Sequence, residues 1–165
     1  MSANRLARDF YIRDVLEIAG EILGKNLVVS PRQESKRYCI SEVEIYRGEE
    51  DRACHVSKGR TTRNAIMFNR GGLLYVYLIY GMHWMLNVVT GDSEIPQALL
   101  IRGVKDINGP GRVTKALGID RSYHGEDLVT SSRIWIEDNP VNHREIIKKP
   151  RVGVDYAGEY WKNIP

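Results

Sequence analysis

Two apolar, aromatic-rich segments joined by a glycine turn constrain the fold of this chain most strongly. Residues 73–80 and 83–90 are rich in β-branched and aromatic side chains, and only Gly81 and Met82 lie between them. Such residues favour strands, and a short connection containing glycine is typical of a β-hairpin. The segments are too short, and too interrupted by polar residues such as Asn87, to span a membrane. The sequence therefore predicts an antiparallel strand pair with Tyr80 at its tip.

The remaining segments predict a sheet with short helices around it. Apolar residues at helical spacing predict one helix over residues 10–23, followed by Gly24 as its cap. Further strands are predicted over residues 26–30, 37–46, 98–104 and 133–137, with a short helix over 112–117. Residues 48–70 predict a polar loop with a helical turn or two, and residues 150–158 a loop-rich tail. This order predicts an α+β fold, one domain over residues 1–165 with a mostly antiparallel sheet.

The charge of the chain is weakly positive and unevenly distributed. The chain has 165 residues, of which 42% are hydrophobic, and a formal net charge of +3. This length supports one domain with a core, and the charge permits a polyanionic partner without requiring one. The cations cluster in residues 58–70 and 144–151. Each run alone is more often a solvated face, but two runs flanking a candidate pocket favour contact with phosphates.

Cysteines, histidines and the N-terminus narrow the class of protein. Cys39 and Cys54 do not form a CxxC pair, and two cysteines are too few for a disulfide scaffold. The four histidines lack the mutual spacing of metal ligands. The N-terminus has no apolar core of a signal peptide. We therefore expect a cytoplasmic protein without a metal or another cofactor.

Two carboxylates and an aromatic ring alternate along one predicted strand, and His55 follows shortly afterwards. Alternate residues of a strand share a face, which predicts a common direction for Ile40, Glu42, Glu44 and Tyr46. A carboxylate beside a flat aromatic ring suits a site that holds a planar ring and activates water. The pattern therefore indicates an enzyme acting on a nucleobase. Spacing leaves open which acid works and which is a salt-bridged scaffold.

Two turns indicate further contacts with a nucleic acid. A tyrosine beside a turn glycine is pushed toward solvent or a partner, so Tyr80 suits a wedge between bases. Ordinary sheet packing is expected for Tyr75. The turn 108–111, Asn-Gly-Pro-Gly, precedes Arg112 and Lys115 and could direct backbone N–H groups at an anion. On its own, the pattern indicates only a turn.

Taken together, these segments resemble the alkyladenine (3-methyladenine) DNA glycosylase family. The matching blocks run through nearly the whole chain and comprise residues 42–51 with His55, 62–64, 67–68, 74–82 with Asn87, 98–102, 108–111 and 150–158. The resemblance implies a monomeric, cofactor-free enzyme that removes 3-methyladenine, 7-methylguanine or hypoxanthine from duplex DNA. Such an enzyme works in base excision repair, leaves an abasic site, and is associated with the nucleoid if the source is prokaryotic.

The resemblance also implies a role for individual residues. Glu44 matches the general base that activates water for attack on the sugar C1′, and Arg102 matches an arginine that helps to hold this water. Asn87 matches the residue that crowds the 2-amino group of guanine. The rings that sandwich the extruded base correspond to Tyr46, His55 and Tyr77. The residues expected to contact the duplex are the wedge Tyr80 together with Met82, Arg60, Arg63, Gly109, Gly111 and Arg112.

Two other functions stay open on the sequence. A non-catalytic nucleic-acid-binding protein could use the tyrosine-rich strands as a stacking platform for single strands. A relative with the same fold could instead bind RNA. The stacking platform explains the aromatic and basic residues but leaves Glu44 without a role. Because a glutamate facing DNA repels phosphate, its presence favours the enzyme.

Overall fold

Antiparallel strands form one curled sheet in the structure, a computed structural model that describes residues 4–140 and 145–152. Within these residues there are seven strands: β1 (Asn26–Val29), β2 (Lys36–Tyr46), β3 (Leu74–Ile79), β4 (His83–Thr90), β5 (Gln97–Val104), β6 (Ile107–Asn108) and β7 (Ile134–Glu137). Their order across the sheet is β3-β4-β5-β2-β1-β7, and β6 pairs with β5. Each of these pairings is antiparallel, which confirms the predicted α+β fold with a mostly antiparallel sheet.

The predicted hairpin is formed by β3 and β4. The strand ends at Ile79, so Tyr80 belongs to the loop together with Gly81 and Met82. The N–H of Met82 donates to the carbonyl of Ile79 at 3.1 Å and closes the turn. The φ angles of Tyr80 and Gly81 are +49° and +65°, in the left-handed region. Glycine adopts this conformation freely, whereas a bulky residue does so at a cost of about 1–2 kcal/mol.

The helix predicted over residues 10–23 is two helices, α1 (Arg8–Tyr11) and α2 (Val15–Ile22). Asp14 separates them, because its side chain accepts a hydrogen bond from the N–H of Leu16 at 2.9 Å and caps α2. The prediction of one continuous helix is therefore wrong. Gly24 follows the end of α2 with φ +85°, as expected for a glycine beyond a helix end. None of the helices in the described part of the chain is long and apolar enough to cross a membrane.

A third helix, α3 (Pro110–Leu117), packs against the hairpin. Proline fits its first position because the N–H that proline lacks would have no partner within the helix there. The hydroxyl of Thr114 donates to the carbonyl of Trp84 at 2.9 Å. A Cβ on Gly111 would lie 3.0 Å from a ring nitrogen of His83. The glycine therefore permits the close approach of α3 to β4.

The two faces of the sheet bury different clusters of side chains. The larger core lies between one face and helices α2 and α3, and its members include Ile18, Leu74, Val88, Leu99, Ile101 and Leu117. The smaller cluster lies on the other face and includes Cys54, Val56, Phe68, Tyr75, Tyr77, Met85 and Leu100. A short 3-10 helix, Ala65–Phe68, contributes to covering this second face. Burial of each large apolar side chain contributes about 1.5–3 kcal/mol to stability.

A double register shift changes which residues of β2 face each cluster. The shifts lie between Ile40 and Val43, where β2 pairs with β5. Ile40 consequently belongs to the larger core, against which Val43 also packs, whereas Tyr46 packs against the smaller cluster. Because a β-bulge moves the alternation of side chains by one residue, the prediction that Ile40 shares a face with Glu44 is wrong.

Candidate active site

The candidate site begins with a row of residues that crosses four neighbouring strands. Tyr75 in β3 opposes Asn87 in β4, Asn87 opposes Leu100 in β5, and Leu100 opposes Glu44 in β2. Directly opposed residues in an antiparallel sheet lie about 4.5–5.5 Å apart. The register therefore aligns the Asn87 amide and the Glu44 carboxylate on one face, with Leu100 between them.

Glu44 is a buried carboxylate held by two donors. Its side chain is 4% exposed. The hydroxyl of Tyr46 donates to Oε1 at 2.6 Å, and Nη1 of Arg102 donates to Oε2 at 3.0 Å. Such partners are necessary because a buried, unpaired carboxylate is strongly disfavoured. Each carboxylate oxygen keeps a second lone-pair direction that a water molecule can use.

Glu42 differs from Glu44 in exposure, although both carboxylates contact the same arginine. The side chain of Glu42 is 51% exposed, and its Oε1 accepts from Nε of Arg102 at 3.2 Å. Arg102 lies at the register shift in β5, where the bulge directs its guanidinium toward both acids. Glu44 is thus the interior carboxylate, and Glu42 contacts Arg102 from the exposed edge. Which of the two acids takes part in chemistry stays a prediction.

An aromatic pocket lies on the same face of the sheet. It contains four of the residues predicted to bind substrate, namely Tyr46, His55, Tyr77 and Asn87, and is also lined by Cys54, Met67, Tyr75 and Ala98. Sequence reasoning missed the last four as lining residues. Strand alternation could have found Tyr75, which shares a face with Tyr77. Nothing in the local pattern around Cys54 or Met67 indicates a pocket.

His55 joins the tyrosine cluster through its ring. Its Nδ1 lies 3.1 Å from the hydroxyl of Tyr75, and its ring centroid is 4.5 Å from that of Tyr77. Desolvation of the imidazole by this packing, together with the positive charge of Arg63, lowers the pKa of His55. The imidazole is therefore neutral near pH 7. The side-chain amide of Asn64 donates to the backbone carbonyl of His55 at 3.0 Å, which helps to fix the loop that carries His55.

Burial favours the protonated forms of the two tyrosine hydroxyls and the cysteine thiol in the pocket. Burial raises the pKa of Tyr77, and the nearby Tyr75 and Glu44 raise it further through electrostatic repulsion. Burial also raises the pKa of Tyr75. Burial raises the pKa of Cys54 to about 11, so its thiol is not a nucleophile at neutral pH. Asn87 donates its side-chain N–H to the carbonyl of Tyr75 at 3.1 Å. The pocket thus presents neutral aromatic rings beside one carboxylate.

The hairpin tip exposes two large apolar side chains. Tyr80 is 89% exposed and Met82 is 68% exposed. Tyr80 lies three residues beyond Tyr77, which places the tip roughly 10 Å along the strand from the pocket wall. The sequence prediction of an exposed aromatic tip is confirmed, and its contact with DNA stays a prediction.

The predicted phosphate-binding cations occupy different surroundings. Arg63, Arg60 and Arg112 are all exposed. The guanidinium carbon of Arg63 lies 5.1 Å from the ring centroid of Tyr77, within cation–π range. Arg60 lies at 5.0 Å from the Phe68 ring and 3.5 Å from Glu94. The Arg60–Glu94 pair is exposed and contributes little to stability, so Arg60 can exchange Glu94 for a phosphate.

The turn before α3 contributes less backbone to an anion site than the sequence suggests. The N–H of Gly109 donates to the carbonyl of Arg102 at 2.9 Å, so this donor is occupied. Gly111 meets His83, as described above, and serves the packing of α3. The turn therefore leads from β6 into α3 and is held to β5 by the hydrogen bond from Gly109 to Arg102.

The second basic run is divided between surface and interior. Lys148 and Lys149 are exposed, whereas the Arg151 side chain is 1% exposed and pairs with Asp51. Arg151 cannot contact phosphate from this position, so its assignment to a phosphate-binding run is wrong. Arg144 lies outside the described residues, as does most of the predicted tail, residues 153–158. No cluster of His, Cys, Asp and Glu within the described ranges could hold a metal ion.

Comparison with known proteins identifies a family with a similar sequence. The profile of the methylpurine-DNA glycosylase family matches residues 9–109 and 105–164. A protein of Methanocella arvoryzae is 42% identical over 188 residues, which cover 97% of this chain and 94% of that protein. A relative from Legionella pneumophila is 45% identical, with 96% and 90% covered, and one from Myxococcus xanthus is 41% identical, with 95% and 86% covered. All three bear the name "Putative 3-methyladenine DNA glycosylase".

Proposed function

The chain belongs to the methylpurine-DNA glycosylase family, and we propose that it hydrolyses the N-glycosidic bond of damaged purines in duplex DNA. The substrates are 3-methyladenine, 7-methylguanine and hypoxanthine, and the products are the free base and an abasic site. Base excision repair is the process that this reaction begins. The proposal includes action as a monomer and without a cofactor.

One observation carries the proposal: a buried carboxylate, Glu44, is held by Tyr46 and Arg102 on the face that forms an aromatic pocket. Glu44 accepts the proton of a water molecule as that water attacks C1′ of the sugar. The bond from C1′ to the purine nitrogen breaks, and its electron pair leaves with the base. The ionised carboxylate also stabilises the positive charge that develops on the sugar. Arg102 orients the carboxylate of Glu44 through its hydrogen bond to Oε2.

The aromatic residues bind the base after it leaves the helix. Extrusion of a nucleotide costs about a few kcal/mol, and less where a lesion weakens stacking. Stacking on Tyr46 and on the His55–Tyr77 pair returns about 1–3 kcal/mol per base. The flat rings match a planar purine.

Residues around the pocket select the base and bind the DNA duplex. Asn87 crowds the 2-amino group of guanine from the floor of the pocket, where it is 2% exposed. Tyr80 and Met82 enter the duplex and occupy the space of the extruded base. The phosphate contacts come from Arg60, Arg63 and Arg112.

The lining of the pocket supports hydrolysis without strand cleavage. Lyase chemistry needs an amine that attacks C1′ and forms an imine. The eight residues that line the pocket include no lysine. The base is therefore released, and the abasic sugar stays in an unbroken strand.

Release of free base from defined duplexes tests the proposal. Duplexes that contain one hypoxanthine, 3-methyladenine or 7-methylguanine are incubated with excess enzyme, and the released base is quantified by mass spectrometry. A duplex with adenine at the same position is the control. We expect release from the damaged duplexes only, with strand breaks appearing only after alkali. Tight binding to nucleic acid without any base release would instead support the non-catalytic stacking platform.

A further inference from the structure

We propose that a buried ion pair, Asp51 with Arg151, sets the spacing of Tyr46 and His55 and thereby shapes the base pocket. The two residues of the pair touch no substrate and act as positioning residues. The inference rests on the proposed function, because the spacing of Tyr46 and His55 matters only if a base lies beside them.

The pair is closed off from solvent and has two parallel contacts. The side chains of Arg151 and Asp51 are 1% and 0% exposed. Nη1 of Arg151 donates to Oδ2 of Asp51 at 2.6 Å, and Nη2 donates to Oδ1 at 3.0 Å. Desolvation of two charges offsets much of their attraction, so a buried pair is often no more stabilising than apolar residues of the same volume. The role of this ion pair is therefore better explained by the fixed positions of its two side chains than by a gain in stability.

Asp51 ties together both ends of the loop between the two pocket walls. Its Oδ2 accepts from the N–H of Arg47 at 3.1 Å, directly after Tyr46. Its Oδ1 accepts from the N–H of Ala53 at 3.0 Å, and its carbonyl accepts from the N–H of Cys54 at 2.8 Å. The carboxylate and the carbonyl of this one residue thus define the path of the chain from Arg47 to Cys54, the residue before His55.

Arg151 contacts the end of β2, the strand that precedes the loop shaped by Asp51. Its Nη1 donates to the carbonyl of Ile45 at 3.1 Å, and its guanidinium carbon lies 5.7 Å from the ring centroid of Tyr46. The Tyr46 ring is therefore located by a hydroxyl contact to Glu44 and by a cation near its ring. The last described stretch of the chain, residues 145–152, becomes part of the support of the pocket.

Three contacts consequently converge on one local geometry. Arg151 orients Asp51, Asp51 shapes the loop that carries His55, and Arg151 also locates Tyr46. A lysine at position 151 keeps the charge but cannot reproduce two parallel hydrogen bonds in one plane. Loosening of this kind should weaken stacking of an extruded base while contacts to phosphate survive.

The test compares Arg151→Lys with Arg8→Lys in the full chain. Arg8 pairs with Asp127 and donates to the carbonyl of Gly71, and none of these residues lines the pocket. Dissociation constants are measured for a hypoxanthine duplex and for an undamaged duplex of the same sequence, each in a Glu44→Gln background that suppresses turnover. The ratio of the two constants is the readout, because a partly unfolded sample changes both constants equally.

We expect the preference for the hypoxanthine duplex to fall roughly tenfold in Arg151→Lys, equivalent to about 1.4 kcal/mol, and to stay within about twofold in Arg8→Lys. The double variant Asp51→Asn, Arg151→Gln removes both charges together and gives the same answer if Arg151→Lys folds poorly. An unchanged ratio in these variants, or an equal fall in Arg8→Lys, would overturn the positioning role. Failure of the parent enzyme to release any base would instead overturn the proposed function.

Discussion

Leu99 and Leu100 are neighbours on β5 and both are buried, yet they lie in clusters of different polarity. Leu99 opposes Val88 within the larger core, where the side chains are mostly aliphatic. Leu100 lies between Asn87 and Glu44, on the face that carries an amide, a carboxylate and several hydroxyls. The same backbone thus supports an apolar face that stabilises the fold and a polar face that can do chemistry.

The comparison shows how a small protein can maintain a polar interior site. The polar face is stable only because each buried charge has partners, as Glu44 has Tyr46 and Arg102. The apolar face needs no such matching and tolerates more variation in detail. Substitutions on the apolar face should therefore change stability, and those on the polar face should change binding or rate.

The largest expected effect on the polar face comes from Glu44→Gln. The amide keeps the size of the side chain but removes the charge and the proton acceptor, and loss of a general base costs about a hundred- to ten-thousand-fold in rate. Single-turnover release of hypoxanthine should fall by this factor while the affinity for the duplex changes little. Glu42→Gln, at the rim, is the matched control and should have a smaller effect. Release at the parental rate by Glu44→Gln would refute the role of the carboxylate.

Leu99→Ala and Leu100→Ala test the division between the faces directly. Each removes a buried leucine, and such changes lower the free energy of unfolding by about 2–5 kcal/mol. Urea unfolding should show this loss in both variants. At a temperature where both are folded, Leu99→Ala should retain the parental rate of base release, whereas Leu100→Ala should be slower because it disturbs the row between Asn87 and Glu44. Equal rates in the two variants would contradict the division.

Tyr80→Gly examines the exposed edge of the polar face. Because Tyr80 is 89% exposed and has a left-handed φ, its removal should change stability by less than about 1 kcal/mol. Loss of the stacking side chain should weaken extrusion by about 1–3 kcal/mol. A 2-aminopurine beside the lesion reports extrusion by fluorescence. Leu16→Ala, at an exposed position of α2 outside the predicted duplex contacts, is the control. A normal signal in Tyr80→Gly would show that the ring does not enter the duplex.

Asn87→Ala tests whether a residue of the polar face controls which base is removed. Removal of a steric or hydrogen-bonding conflict with the guanine 2-amino group is worth about 1–3 kcal/mol. The variant should release more unmodified guanine while it still removes hypoxanthine. Competition between the two bases in one duplex mixture measures the ratio. If guanine release stays at the parental level, another residue controls selectivity.

The smallest expected effect is the pH dependence contributed by His55. Its pKa is lowered by desolvation and by Arg63, so the unfolded chain binds a proton more readily than the folded chain. Stability should therefore fall as the pH drops below the usual histidine pKa of about 6.5 toward the lowered value, and His55 should contribute nothing above that range. The contribution should be small because solvent screens the exposed ring.

Urea unfolding of the parent and of His55→Asn between pH 5 and 7.5 measures this contribution. The pKa of His124 is also lowered, by desolvation and then by Arg121, so part of the slope should persist in the variant. Parallel curves for the two proteins would show that His55 does not titrate differently on folding.

Much of the fold follows from local patterns that the sequence displays openly. The hairpin around Gly81 is predicted correctly because two apolar strands and a glycine turn are signals within a few residues of one another. The helix break at Asp14 is a local signal too, but apolar periodicity on both sides of it conceals the cap. The register shift after Ile40 has no comparable local signature, because a bulge depends on how β5 pairs with β2.

The sequence by itself determined the alternation that places Tyr75 with Tyr77, the exposed tip at Tyr80, and the proximity of Glu44 to Tyr46 along one strand. Only the tertiary structure decided that Glu44 rather than Glu42 is buried, because Glu44 opposes the buried Leu100 whereas Glu42 opposes Gly103 between the two register shifts. It also decided that Arg151 belongs inside, against Asp51. Contacts between residues a hundred positions apart depend on the path of the whole chain, and no local pattern of side chains encodes that path.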